Sequence, residues 1–68
     1  MDTDAKKAAL DNIGVINETA KELSAEVMSV LYKNNKSANR RARRKSIMLR
    51  EQVKELRRLL LAIEKEQQ

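Results

Sequence analysis

The sequence predicts an all-α protein: an antiparallel helical hairpin that dimerises into an up-down four-helix bundle. Three observations lead to this prediction. The 68 residues include no proline, one glycine and one aromatic residue, and are rich in the helix formers Ala, Leu, Lys, Arg and Glu. Apolar residues recur at alternating spacings of three and four, the period of an amphipathic helix. They form two series that are out of phase, so a single unbroken helix is disfavoured.

The first helix is predicted over about residues 4–32. Its apolar stripe consists of Ala9, Ile13, Ile16, Ala20, Leu23, Val27 and Val30. Spacings of four and three place these residues on one side of a helix, where they can pack against another helix.

A turn is predicted at residues 33–37. Asn34 and Asn35 tolerate the left-handed backbone conformation that ends helices. Asn35 or Ser37 can cap the next helix by accepting a hydrogen bond through its side-chain oxygen. We therefore expect the chain to reverse direction here.

The second helix is predicted over about residues 37–66, with an apolar stripe of Ala42, Ser46, Leu49, Val53, Leu56, Leu60 and Ile63. The two stripes should face each other in the hairpin, and further apolar residues should supply a dimer interface. The predicted hairpin and dimer core consists of Ile13, Ile16, Leu23, Val27, Val30, Leu49, Val53, Leu56, Leu59, Leu60 and Ile63.

A homodimer is expected because residues 1–68 make one small domain, and a single core of this size seldom supplies more than about 3 to 5 kcal/mol. The absence of cysteine and histidine removes disulfides and the usual zinc and haem ligands as additional support.

The distribution of charge favours a head-to-tail arrangement of the two hairpins. Residues 33–50 carry eight cations and no acid, residues 1–32 carry three cations and six acids, and residues 51–68 are balanced. Head-to-tail packing keeps the two basic segments apart.

The segment KNNKSANRRARRK, residues 33–45, is the candidate functional site. Ordinary salt-bridged helix faces alternate in charge, whereas this block does not. It also begins a helix, where the N–H groups of Lys36, Ser37, Ala38 and Asn39 and the helix dipole should favour a phosphate. The predicted nucleic-acid-binding residues are Lys33, Lys36, Ser37, Arg40, Arg41, Arg43, Arg44, Lys45 and Arg50. The predicted partner is double-stranded DNA, with RNA as an alternative.

Two other interpretations of the basic block remain open. Lys45 could pair with Glu26 across the hairpin while the stem of Arg50 shields the seam, so that the block only aids solubility. The chain could instead be a coiled-coil protein-interaction module whose basic loop binds an acidic protein. A membrane surface is disfavoured, because residues 36–46 offer only alanine to an apolar face.

No enzymatic activity, metal or cofactor is predicted. The serines have no histidine to activate them. Glu18, Glu22 and Glu26 form a ladder on one helix face that could hold a hydrated divalent ion, but Lys21 lies among them and such faces are usually only solvated. The polar N-terminus lacks the apolar run of a secretory signal, so a cytoplasmic location is expected.

The segment YKNNKSANRRARRKSIMLREQVKELRRLLLAIEKE resembles the helical region of bacterial histone-like nucleoproteins of the chlamydial type, over about residues 31–66. In that family K-G-N-K-A-A is followed by an R-x-R pair and S-I-x-L. The matching positions are Lys33, Asn35, Lys36, Ser37, Ala38, Arg41, Arg43, Ser46, Ile47 and Leu49. Asn34 replaces the glycine, and the Lys-, Ala- and Pro-rich tail of the family has no counterpart in these residues. The resemblance implies a nucleoid-associated protein that binds and condenses DNA with little sequence preference.

Overall fold

A computed structural model describes residues 3–67 as two helices, α1 (Thr3–Lys33) and α2 (Lys36–Gln67). The helices pack side by side along their length and run antiparallel, so the prediction of an all-α helical hairpin is confirmed. The hairpin is long and thin, with extents of 51 × 14 × 12 Å. Within these residues, neither helix has an apolar stretch that could cross a membrane.

The chain reverses through Asn34 and Asn35, as the sequence predicts. Asn34 adopts the left-handed conformation with φ 54° and ends α1. Asn35 is the N-cap of α2, because its Oδ1 accepts a hydrogen bond of 3.1 Å from the backbone N–H of Ala38. Ala38 is fully buried, so a small side chain here allows α2 to approach α1 closely next to the turn.

The seam between the helices is formed by side chains that are buried or half-buried at spacings of three and four. In α1 these include Ala9, Asn12, Ile16, Thr19, Leu23, Glu26 and Val30; in α2 they include Ala38, Ala42, Lys45, Leu49, Gln52, Leu56, Leu59 and Ile63. Several of these residues are polar. The buried Asn12 Oδ1 and Gln52 Oε1 have no hydrogen-bond partner. The seam therefore does not use all of the apolar surface that the helices offer.

This seam differs from the predicted one at alternate positions. Four residues predicted to meet inside the hairpin are between 38% and 53% exposed: Ile13, Val27, Val53 and Leu60. The residue just before each of them faces the other helix instead: Asn12, Glu26, Gln52 and Leu59. The physical reason is that the apolar stripe on each helix is rotated about the helix axis relative to the seam, so one edge of it stays outside.

Candidate nucleic-acid interface

The basic block lies at the turn end of the hairpin, with Lys33 as the last residue of α1 and the other cations on the first turns of α2. Six of the eight predicted cations fall into two groups that differ in their neighbours. We call Arg41 and Lys45 the inner cations, because they lie beside α1. We call Lys36, Arg40, Arg43 and Arg44 the outer cations, because they lie away from it.

The inner cations are bound by carboxylates of α1. Arg41 Nε donates a hydrogen bond of 2.8 Å to Glu26 Oε2, and Lys45 Nζ lies 2.5 Å from Glu22 Oε1. The hydrogen bond and charge of Glu26 raise the pKa of Arg41 above its usual value. The interpretation that paired Lys45 with Glu26 is therefore wrong in its partner, because Arg41 occupies that carboxylate. The positive charge of these two residues is largely neutralised within the hairpin.

The outer cations share one side of α2. At about 100° between successive helical residues, their side chains span an arc of about 100° on the side opposite the seam. All four are exposed. Among the residues that the structure describes, no acidic side chain pairs with any of the four or with Lys33.

Arg50 lies farther along α2 and does not belong to either group. Its Nε is 4.0 Å from Glu51 Oε2, and its side chain is 70% exposed. The stem of Arg50 therefore does not shield the seam. A contact of this length between exposed groups is weak, so Arg50 remains available to a ligand.

The start of α2 adds backbone donors to the outer cations, although fewer than the sequence analysis expected. The Ala38 N–H is bound by the cap, and the Asn39 N–H donates to the Asn35 carbonyl oxygen at 3.2 Å. Within residues 3–67, the N–H groups of Lys36 and Ser37 are left without an acceptor. The first turn of α2 contains no acidic residue, so no carboxylate in that turn offsets the positive end of its dipole.

Three of the outer cations border an open cleft of about 330 Å³ at the turn, which is lined by Val30, Asn34, Asn35, Lys36, Asn39, Arg40 and Arg43. The side chain of Asn39 is a further candidate for binding, whereas the sequence pointed only to its backbone N–H group. Its position one helical turn after Asn35 and one residue before Arg40 is the signal that could have identified it. The cleft combines cationic side chains, amide donors and a helix start, all of which favour an oxyanion.

The glutamate ladder of α1 is used for ion pairs rather than as a separate cluster. Glu22 and Glu26 each contact an inner cation. In the described part of the chain, no group of three acidic side chains is arranged to hold a metal ion.

The family model described as Histone H1-like protein Hc1 matches residues 10–66. The matched range contains the turn, the whole basic block and most of both helices. It is longer than the resemblance found in the sequence, because it includes most of α1. No curated protein and no solved structure matches the chain.

Proposed function

The chain belongs to the histone H1-like protein Hc1 family, and on this premise we propose that it binds double-stranded DNA as a histone-like, nucleoid-associated protein. The observation that supports the proposal best is the set of five cations at the turn end that have no acidic partner among residues 3–67. Cations paired across a hairpin serve stability. Unpaired and clustered cations are suited to a polyanion.

The proposed contact is with DNA phosphates. The outer cations extend from one side of α2, so they can follow one stretch of the DNA backbone. A phosphate that enters the cleft would accept hydrogen bonds from the N–H group of Lys36 and from the guanidinium groups of Arg40 and Arg43. The inner cations contribute less, because binding would have to compete with Glu22 and Glu26.

Sequence specificity should be poor. Phosphate contacts carry no base information, and the side chains that point away from the seam at this end are mainly Lys and Arg. Neutralising five phosphates should make log K fall with log salt concentration with a slope of about −4.5, since each phosphate contributes about −0.9.

The experiment that tests the proposal measures binding to several unrelated duplexes over a range of salt concentrations. The expected result is similar affinity for every duplex and a slope near the value given above. Failure to bind any duplex at about 50 mM salt, where phosphate contacts are strong, would contradict the proposal. A marked preference for folded RNA over duplex DNA in competition would show that the polyanion is RNA.

We also propose that the protein bridges DNA duplexes. A single turn end offers one group of unpaired cations, so bridging needs a second one. Two hairpins packed head to tail would place their basic ends about 45 Å apart, given helices of 31 and 32 residues and a rise of about 1.5 Å per residue.

A further inference from the structure

The hairpin leaves an apolar surface on one side, which we call the open face. It consists of Ile13, Ala20 and Val27 of α1 and of Ser46, Val53 and Leu60 of α2. All six residues are exposed and none is charged. Each follows a seam residue by one position, and in an antiparallel pair such positions lie on the same side of both helices.

The direction of the apolar stripe on each helix indicates how many helices pack together in the complete bundle. At about 100° per residue, the centre of each stripe points about 50° away from the line to the other helix of the hairpin. A two-helix protein would aim its stripes directly along that line. In a four-helix bundle each helix aims at the central axis, which lies about 45° from the line to its neighbour. Both stripes turn toward the open face, so the bundle axis lies on that side.

The surface area of the hairpin agrees with this geometry. Its accessible surface is 5515 Å², whereas a compact protein of 7.8 kDa exposes about 4400 Å². Its radius of gyration is 15.5 Å, against about 11 Å for a compact chain of this length. The excess surface, about 1100 Å², exceeds the roughly 800 Å² that each partner buries in a standard interface. Of the described apolar residues, only Ala38 and Leu59 are buried.

We propose that a second copy of this chain covers the open face, head to tail, so that α1 packs against α1 and α2 against α2. Residues on the open face point within about 40° of the line to the facing helix in this arrangement. The opposite side of the hairpin is unsuited to the role, because it carries the ion pairs of Glu22 and Glu26.

Charge selects the orientation of the second copy. A parallel pair would bring together two turn ends, each with seven cations between residues 33 and 45 and only Glu22 and Glu26 as partners. Head-to-tail packing instead places each turn end beside Asp4, Asp11, Glu64 and Glu66 at the far end of the other copy. The outer cations point between about 80° and 180° away from the open face, so they remain exposed in the dimer.

Single cysteines test this arrangement, because the chain contains none. Val53 lies near the middle of α2, and in the head-to-tail dimer the two copies of this position are offset by about 5 Å along the helix axis. The two copies of Leu60 are offset by about 25 Å. A short thiol-specific cross-linker should therefore join Val53→Cys chains quickly and Leu60→Cys chains poorly. Leu61→Cys, on the outer side of α2, controls for random collision.

Sedimentation equilibrium gives the oligomeric state of the unmodified chain, and circular dichroism checks that each cysteine variant keeps its helices. We expect a dimer in sedimentation and cross-linking at least tenfold faster for Val53→Cys than for Leu61→Cys. A monomer at all concentrations would overturn the proposal. Faster cross-linking of Leu60→Cys than of Val53→Cys would overturn the head-to-tail orientation. Neither measurement involves DNA, so these results are independent of the proposed function.

Discussion

Replacement of Arg40, Arg43 and Arg44 by glutamine is expected to weaken duplex binding by roughly 10²- to 10³-fold at about 0.1 M salt. These three outer cations have no acidic partner among the residues described, so their charge is fully available to DNA. Each lost phosphate contact should also reduce the slope of log K against log salt concentration by about 0.9. The variant should keep its helices, because all three side chains are exposed on the side opposite the seam.

Two control variants separate this effect from a change in net charge. Replacing Lys54, Arg57 and Arg58 by glutamine removes the same charge from α2 but at a distance from the turn, and Lys54 and Arg58 are paired with Glu51 and Glu55. This variant should lose much less affinity. Arg41→Gln should lose less than Arg40→Gln, because Glu26 already holds Arg41. Equal losses in the two triple variants would mean that DNA responds only to overall charge.

Leu59→Ala is expected to lower the free energy of unfolding by about 2 to 5 kcal/mol. Leu59 is the one large apolar side chain that is buried among the described residues, with 6% of its surface exposed. The hairpin has few other buried apolar contacts, so neighbouring side chains can compensate little for the cavity. Denaturant titration monitored by circular dichroism at fixed protein concentration measures this loss.

Leu61→Ala provides a matched control for Leu59→Ala. Leu61 is 55% exposed and lies on the outer side of α2, away from both the seam and the open face. Its truncation should change stability by no more than about 0.5 kcal/mol. If the two variants were equally stable, the observed placement of Leu59 in the seam would be incorrect.

The turn and its cap could be predicted because they depend on local chemistry. Asn34 and Asn35 are both suited to positions at a helix end. Asn34 adopts the left-handed conformation, and Asn35 is the N-cap of α2. The period of the apolar residues likewise predicts two helices. These features require only neighbouring residues, which a sequence displays directly.

The exact seam could not be predicted, because one stripe contributes to more than one surface. Spacing locates the centre of an apolar stripe, but it does not show which edge of the stripe meets which neighbour. Ile13 and Val53 therefore looked like seam residues, whereas Asn12 and Gln52 occupy the seam. Polar residues can occupy the seam because the apolar stripe points toward an additional neighbour, which in our proposal is the second copy of the chain.

The division of the basic block also depends on tertiary structure. The sequence shows eight cations without an acid between them, and it does not distinguish the cations that pair with a carboxylate from those that do not. Register across the hairpin brings Glu26 to Arg41 and Glu22 to Lys45. A shift of one helical turn would give other pairs, and spacing along the chain cannot distinguish these registers.

In the proposed complex, DNA binds at the turn end through the outer cations and the free N–H groups that begin α2. An NMR titration of the labelled chain with a short duplex can locate this contact, because it follows every backbone amide separately. We expect the largest shifts at Lys36, Ser37 and the residues from Asn39 to Arg44, and little change near Lys54 in the middle of α2. Shifts spread evenly over the charged residues, or strongest at the end remote from the turn, would contradict the proposal.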